Sequence, residues 1–407
     1  MKNIFIIFLL FFSVSFFGQN EVENDSIPTK EIKLFNTNYK EFEIIGDDIY
    51  AITNGDSLIK FNIKTNESSF ILNKVLSITS NSKYIIGLNK ENKVFKIENI
   101  NDVKIINSEL FKGIKKNKYF KAYKILSFKN EYLIISQSGI IYKNKLYKIR
   151  SWLSNLSVSK KRGFNKPNLS FIDSNNLLWM CFDLGEFGED IVFFDLEKHR
   201  YLELKHIFQK EPYFPEKSSE YKLKMMKSYP NKVKLIDDDL YYKFPYNLPI
   251  YCPIKGMAQN KEGKFFITQS LMHFMLSGGL VFMIENDNYT TSILLKNLVK
   301  YKEPFYEDFL NFNEAKEYIG TCTYNKFNDS FYYYSDKGFF KIIESDNKTK
   351  KELFFKPNLK WKFGLPNSLG YQMNVLKFEF ISENKMIFLT SNNGIGYYDT
   401  NSVIYFQ

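Results

Sequence analysis

A short phrase recurs along the chain and constrains the fold more than any other feature of the sequence. Each copy has a polar start, a glycine and a short apolar or aromatic run, as in SNNGIGYYD (391–399), SDKGFFKIIE (335–344), LSGGLVFMIE (276–285) and SQSGIIYKN (136–144). A glycine ahead of an apolar run is typical of a tight hairpin, where the chain needs a residue that tolerates positive φ. The phrase therefore predicts a hairpin that returns at regular intervals.

Each phrase belongs to a larger unit of four apolar runs. In the last unit the runs cover 375–381, 385–390, 394–398 and 402–406, separated by SENK, SNN and DTN. Short β-branched and aromatic segments bounded by Asn, Ser, Asp and Gly predict strands joined by turns. We expect the glycine phrase to mark the start of the third strand. The four-strand pattern occupies seven segments: 41–72, 75–106, 123–149, 168–204, 254–295, 318–355 and 375–407.

Repeats built from strands alone predict an all-β fold, a seven-bladed β-propeller of four-stranded antiparallel blades. A single twisted sheet cannot bury both of its faces, whereas blades around an axis cover each other and protect their edges. Two alternatives stay open: a two-domain β-sandwich protein, and an eight-bladed ring that uses KVKLIDDDLYYKF (232–244) as a degenerate hairpin. The ring closes either within the final repeat or by KEIKLFN (30–36) pairing with the last blade.

The first residues, MKNIFIIFLLFFSVSFFGQN, combine one lysine, an apolar run and a small residue at its end. This pattern predicts a signal peptide over 1–18 and an exported mature chain, 19–407, in the periplasm or outside the cell. The alternative is a membrane anchor, but the apolar run is shorter than the ~20 residues that a spanning helix needs. We expect a monomer with no membrane span in the mature chain.

The composition favours strands and does not by itself reveal a partner. Aromatic residues make up 18% of the chain, with 41 Phe and 28 Tyr, and aromatic side chains are enriched in strands. The formal net charge is +11, a balance that could favour nucleic acid or an acidic surface. Lysine is spread along the whole chain, however, and residues with A/T-rich codons are abundant throughout. We therefore expect no nucleic-acid partner, even at the lysine-rich segment 111–124.

One repeat resembles a known class. SNNLLWMCFDLGEFGEDIVFFD (174–195) is similar to repeats of the two-component-regulator and YVTN-like propeller families, in which LW and an apolar run precede a glycine turn and an aromatic-Asp ending. The ending NNGIGYYD (392–399) looks like the same feature. The resemblance implies a propeller fold of the WD40/YVTN-like kind. Most copies lack the tryptophan, and a sensory role would be an analogy only.

The chemistry-bearing residues show no catalytic constellation. The three histidines, His199, His206 and His273, have no paired metal-ligand spacing, and neither a nucleophile elbow nor a phosphate loop is present. Cys181, Cys252 and Cys322 are an odd number and lack CxxC spacing, so we expect buried, inert thiols. We expect no cofactor and no metal site. Asp237, Asp238 and Asp239 could bind calcium through carboxylate oxygens, but they lack the spacing of a calcium loop.

Long inserts are the best candidates for function, since binding residues concentrate on loops held by a rigid scaffold. The insert 206–253 is rich in Tyr, Phe, Pro and Lys, and 302–317 is predicted to form a helix. The candidate binding residues, for a glycan or peptide groove, are Tyr213, Asp237, Asp238, Tyr241, Tyr242, Tyr246 and Tyr251. The leading hypothesis is a non-catalytic binding or protein-interaction module for a protein or glycan. A polysaccharide lyase or hydrolase and a structural envelope component are the alternatives.

Overall fold

The computed structural model describes residues 27–81, 83–98, 102–106, 121–149, 158–159, 163–183, 189–204, 241–242, 253–273, 276–285, 290–296, 318–345, 348–363 and 373–407. Every regular element in these ranges is a β-strand. Strand β1 (Thr29–Ile32) comes first, and four-stranded antiparallel meanders follow it along the chain.

Among the described residues, seven sheets contain such a meander, and they are numbered here in chain order. Sheet 1 is formed by β2 (Tyr39–Ile45), β3 (Asp48–Thr53), β4 (Leu58–Asn62) and β5 (Ser68–Leu72). Sheet 2 is formed by β6 (Val75–Ser80), β7 (Ile85–Asn89), β8 (Val94–Ile97) and β9 (Val103–Ile105). Sheet 3 is formed by β10 (Ala122–Phe128), β11 (Glu131–Ser136), β12 (Gly139–Tyr142) and β13 (Lys145–Lys148).

A small hairpin, β14 (Val158–Ser159) and β15 (Gly163–Phe164), separates sheet 3 from sheet 4. Sheet 4 is formed by β16 (Leu169–Ile172), β17 (Leu177–Asp183), β18 (Glu189–Asp195), β19 (Arg200–Leu204) and the added β20 (Tyr241–Tyr242). Sheet 5 is formed by β21 (Ile254–Gln259), β22 (Phe265–His273), β23 (Leu276–Glu285) and β24 (Thr290–Lys296). Sheet 6 is formed by β25 (Ile319–Asn325), β26 (Ser330–Ser335), β27 (Gly338–Ser345) and β28 (Lys348–Phe355). Sheet 7 is formed by β29 (Val375–Phe380), β30 (Met386–Thr390), β31 (Ile395–Tyr398) and β32 (Val403–Phe406).

The sheets pack face to face in succession, and an apolar cluster fills each junction between neighbours in the chain. One further cluster joins sheet 7 to sheet 1, where Leu389 and Phe406 pack with Phe42 and Phe61. Each sheet thus buries both faces, which a lone sheet cannot do. The prediction of an all-β propeller with four-stranded antiparallel blades is confirmed, and the two-domain β-sandwich alternative is wrong.

The N-terminal segment pairs with the last sheet, as one of the two closure alternatives predicted. Strand β1 runs parallel to β32, with Thr29 opposite Val403 and Ile32 opposite Phe406. The final repeat also forms its own four strands, so β1 is a fifth, outer strand. This pairing covers the outer edge of the sheet, which would otherwise present unpaired backbone groups.

The segment considered for an eighth blade behaves differently in the part that the structure describes. Tyr241 and Tyr242 pair in parallel with Glu203 and Leu204 of β19. They therefore extend sheet 4 rather than begin a separate hairpin sheet.

The glycine phrase marks the start of the third strand in several sheets. Gly139 and Gly338 are the first residues of β12 and β27, and Gly394 directly precedes β31; all three have positive φ. The same expectation is wrong in sheet 5, where Gly278 and Gly279 lie inside β23. Antiparallel pairing there continues past the glycines as far as His273 and Leu276, so the strands turn farther out.

Candidate functional site

The candidate site proposed from the sequence lies almost entirely outside the described residues. Tyr213, Asp237, Asp238, Tyr246 and Tyr251 belong to that remainder, as does the predicted helix in 302–317. Only Tyr241 and Tyr242 are placed, as strand β20. Binding and calcium ligation at these positions stay predictions.

A different group of polar side chains gathers on the innermost strands. The first strands of sheets 1, 2 and 3 lie next to one another, as do those of sheets 4, 5, 6 and 7, and Lys377 joins the first strand of sheet 7 to that of sheet 1. In a propeller such strands surround the central channel. Among the described residues, the register of the first strand shifts by one residue in six of the seven sheets, a β-bulge that re-aims the side chain after it. In sheets 5 and 6 the residues directly after the shift are Gly256 and Cys322. In sheets 1, 2, 3 and 7 they are Glu41, Ser77, Lys124 and Lys377. Together with Glu43 and Glu379 they are called the channel cluster below.

Lys377 joins the last sheet to the first. Its Nζ donates to the carbonyl oxygen of Phe42 at 2.9 Å and to Glu43 Oε1 at 3.0 Å, and it lies 2.8 Å from Glu379 Oε1. An ammonium has three N–H donors, so these three acceptors use all of them. Lys377 therefore connects sheets 7 and 1 and has no N–H donor left for a ligand.

The two glutamates of β2 reach the opposite way, toward sheet 2. Glu41 accepts hydrogen bonds from Ser77 Oγ at 3.1 Å and from the Ile78 amide at 3.4 Å. Glu43 accepts one from Ser80 Oγ at 2.6 Å. A carboxylate offers about four lone-pair sites, so both groups keep acceptor capacity for a ligand.

Burial perturbs the charges of the cluster, although solvent still reaches them, with Lys377 34% and Glu43 17% exposed. Burial raises the pKa of Glu41, with Glu43 adding to this effect and Lys124 and Lys377 opposing it. Burial lowers the pKa of Lys124, which Glu41 opposes. Burial also acts to lower the pKa of Lys377, but Glu379 and Glu43 outweigh it and the pKa is raised.

At the junction of sheets 5 and 6, backbone groups of the innermost strands are in contact, and no member of the channel cluster lies there. A side chain at Gly256 of β21 would come within 2.3 Å of the Cys322 amide nitrogen in β25. Thr268 Oγ1 donates to the Gly320 carbonyl at 2.7 Å across the same junction. The first strands of sheets 5 and 6 therefore touch directly, whereas the charged members of the channel cluster lie on sheets 7, 1 and 3.

A change at Glu41 is expected to alter the pH dependence of stability. A carboxyl whose folded-state pKa is raised stabilises the fold at low pH and loses that contribution as pH rises through the folded pKa. Glu41→Gln cannot ionise, so we expect its midpoint of thermal unfolding to exceed that of the parent by roughly 1–3 °C at about pH 7 and to match it at about pH 4. Thermal unfolding followed by circular dichroism at both pH values measures this. Glu67→Gln, at an exposed position, is the control, and a lower midpoint for Glu41→Gln at neutral pH would contradict the expectation.

The remaining sequence candidates have structural surroundings. Cys181 and Cys322 are buried, as predicted, and Cys252 lies outside the described residues. His199 lies in the turn before β19 with positive φ, and its ring is 5.5 Å from that of Tyr142. Within the described ranges, no group of three or more His, Cys, Asp or Glu could hold a metal ion.

The channel cluster could not be found from separate motifs, because its members come from four different repeats. The signal that could find it is the repeat register. The same third position is occupied by Glu41 in YKEFEI, Ser77 in VLSITS, Lys124 in AYKILS and Lys377 in VLKFEF.

The sequence matches no protein-family model and no curated protein. Solved structures resemble it in fold. YCF48 bound to a D1 peptide has a TM-score of 0.51 at 9% identity, over 92% of this chain and 98% of that one. YCF48 from Cyanidioschyzon merolae has a TM-score of 0.48 at 5% identity, over 88% and 95%. An ancestral GH74 enzyme has a TM-score of 0.49 at 10% identity, over 94% of this chain and 47% of that one. At such identities the likeness to the peptide-bound YCF48 shows the fold alone, and the chain is a β-propeller protein.

No helix in the described part of the chain has the length and apolar character needed to cross a membrane.

Proposed function

We propose that the protein is an exported, non-catalytic binding module whose channel takes a peptide carrying charges of both signs. The observation that supports this most is the channel cluster, which sets carboxylates with spare acceptor capacity beside a recessed lysine. Recessed charges interact more strongly with a ligand than exposed ones, because less water screens them. A polypeptide can supply ammonium, carboxylate and backbone N–H groups together, whereas a neutral glycan supplies none of the charges. The peptide bound by YCF48 fits this choice.

We further propose that the seven sheets close into one ring of seven blades, around one channel. The support is the series of apolar clusters, one at each junction between successive sheets, including the junction of sheets 7 and 1. Location in the periplasm or outside the cell and a monomeric state complete the proposal, and rest on the apolar N-terminus and on ring closure, respectively.

Peptide binding tests the function directly. Two short fluorescent peptides of equal length are compared, one containing Lys and Asp residues and the other Gln and Asn in their place. We expect the charged peptide to bind at least about tenfold more tightly, measured by fluorescence anisotropy at low salt. Glu41→Gln, which removes one carboxylate and keeps its shape, is expected to weaken the charged peptide by several-fold. Glu67→Gln is the matched control, and equal affinity for both peptides would sink the proposal.

A propeller-scaffold enzyme is the second candidate, because Glu41 combines a raised pKa with a neighbouring carboxylate, Glu43, as acid–base catalysis requires. Incubating the protein with polysaccharides and with the charged peptide, then searching by mass spectrometry for new chain ends, separates cleavage from binding. If products form with the parent protein and not with Glu41→Gln, the protein is an enzyme and the proposal of a non-catalytic binding module is overturned.

A structural envelope role is the third candidate, since the outer strands of sheets 1 and 2 expose Phe70 and Ile105. Such a component would hold a stable protein partner on that apolar surface rather than a peptide in the channel.

A further inference from the structure

In sheets 7, 1 and 2 the residue that follows the bulge contacts the next sheet, and these contacts form a series. Lys377 of sheet 7 bonds to Phe42 and Glu43 of sheet 1. Glu41 of sheet 1 bonds to Ser77 in sheet 2. Ser77 in turn accepts a hydrogen bond from the Ile125 amide of sheet 3 at 3.4 Å.

The series stops at Lys124. No hydrogen bond or ion pair joins its Nζ to another described residue, and its interactions with Glu41, Glu43, Lys377 and Lys166 are longer-range and electrostatic. Lys377 uses all three of its N–H donors within the protein, while Lys124 uses none on the described residues. Lys124 is therefore the lysine of the channel cluster that is available to a ligand.

Ser170 lies across the junction that Lys124 faces. Side chains alternate along a strand, so Lys124 shares a face with Leu126 and Phe128, which pack in the cluster between sheets 3 and 4. Ser170 of β16 shares a face with Ile172, which packs in the same cluster from the other side. The Ser170 hydroxyl is buried and has no hydrogen-bond partner among the described residues. Leaving such a group unsatisfied destabilises the fold.

The charges around this junction select a singly charged anion. Lys166 adds to the positive potential and lowers the pKa of Lys124, after the larger effect of burial. An anion would offset both effects. Glu41 and Glu43 lie close enough to affect Lys124, and they would repel a phosphate, with its nearly double charge, more than a carboxylate. A carboxylate also has two oxygens, one for an ammonium donor and one for a hydroxyl donor.

We propose that Lys124 and Ser170, supported by the charge of Lys166, form a subsite for a carboxylate of the bound peptide, at the channel end of the junction between sheets 3 and 4. The inference rests on the proposed peptide-binding function and adds to it the orientation of the ligand. The acidic group of the peptide lies toward sheet 4, and its ammonium or N–H groups lie toward Glu41 and Glu43.

The first experiment compares a short peptide that contains Asp with its Asn counterpart, by fluorescence anisotropy. We expect the parent protein to prefer the Asp peptide by about tenfold, and Lys124→Met to lose this preference while folding normally. Ser170→Ala should reduce the preference by several-fold. Lys83→Met, at an exposed position, is the matched control and should keep it. A preference that survives in Lys124→Met overturns the subsite, although peptide binding itself would stand.

The second experiment needs no peptide. NMR of the lysine ε positions is expected to show that acetate raises the pKa of Lys124, and that Ser170→Ala weakens this response. The ε signals of Lys83 serve as the control and should not move when acetate is added. If acetate acts in this way while neither peptide binds, the subsite stands and the peptide-binding function fails. If acetate leaves the Lys124 pKa unchanged, the subsite is overturned. If an oligogalacturonate displaces the Asp peptide and binds more tightly, the carboxylate subsite stands and the ligand is an acidic polysaccharide.

Discussion

Trp179→Ala is expected to lower the free energy of unfolding by about 3–5 kcal/mol, the usual cost of truncating a buried tryptophan. Trp179 is 1% exposed and lies in the apolar cluster between sheets 4 and 5. Its ring meets Phe193 edge-on at 4.5 Å and approaches Phe265 at 5.7 Å. The substitution opens a cavity in the apolar cluster that covers the facing surfaces of these two sheets.

The indole of Trp179 also holds a buried carboxylate. Nε1 donates to Asp173 Oδ2 at 2.9 Å, while Oδ1 accepts from the amides of Asn175 and Leu177, both at 2.9 Å. Burial raises the pKa of Asp173 despite these donors. Trp179→Phe keeps most of the apolar volume and removes one donor, so we expect an intermediate loss of about 1–3 kcal/mol.

Denaturant unfolding of the parent and the two variants measures both effects. Phe70→Ala, at a position 51% exposed on β5, is the control and should change the free energy of unfolding by less than about 0.5 kcal/mol. A loss in Trp179→Ala no larger than that of Phe70→Ala would show that the junction of sheets 4 and 5 contributes little to the fold.

The repeat pattern was sufficient to predict the fold because strand formation is local. In the final repeat, the alternation of apolar runs and Asn- or Ser-rich turns is set by neighbouring residues, and β29 to β32 follow it closely. The hairpin glycines were readable for a similar reason, since positive φ is a property of one residue, as at Gly139. Sheet 5 shows the limit. The length of its hairpin depends on pairing between β22 and β23, which the glycine phrase does not encode.

The channel cluster forms only because the last sheet packs on the first. It could therefore not be predicted from residues that are neighbours in the sequence. Lys377 and Glu43 are 334 residues apart in the chain and meet because sheet 7 packs on sheet 1. The bulges matter as well, since a one-residue shift decides which side chain is aimed at the neighbouring sheet. The alternating charges of β2 and β29 look like ordinary solvent-facing positions until the repeats are superposed.

Closure and the candidate site share the same residues, which links stability to function. Lys377 fixes the first sheet to the last and at the same time neutralises Glu43 and Glu379 in the channel. Lys124 makes no comparable contacts with the described residues. Substitution of Lys377 is therefore expected to impair binding by destabilising the fold. Substitution of Lys124 is expected to impair binding directly.

Gly394→Ala is expected to destabilise the protein by about 3 kcal/mol or more, through the same ring-closing sheet. Gly394 has a φ of +73°, and a Cβ there would lie 2.1 Å from the carbonyl oxygen of Phe406 in β32. Positive φ alone costs an alanine roughly 1–2 kcal/mol. The clash is with backbone, so β32 must move, and its pairing with β1 and β31 must move with it. The Gly394 amide also donates to Asn38 Oδ1 at 3.0 Å, which ties this turn to the segment that begins sheet 1.

Gly46→Ala separates the two causes. Gly46 has a similar φ of +62°, but no atom lies within 4 Å of the place where its Cβ would be. It should lose only the conformational cost, about 1–2 kcal/mol, so denaturant unfolding should show Gly394→Ala to be less stable than Gly46→Ala by at least about 1 kcal/mol. Equal losses would mean that β32 shifts freely at Gly394, and that the junction of the last sheet with the first is not held rigidly by its outer strands.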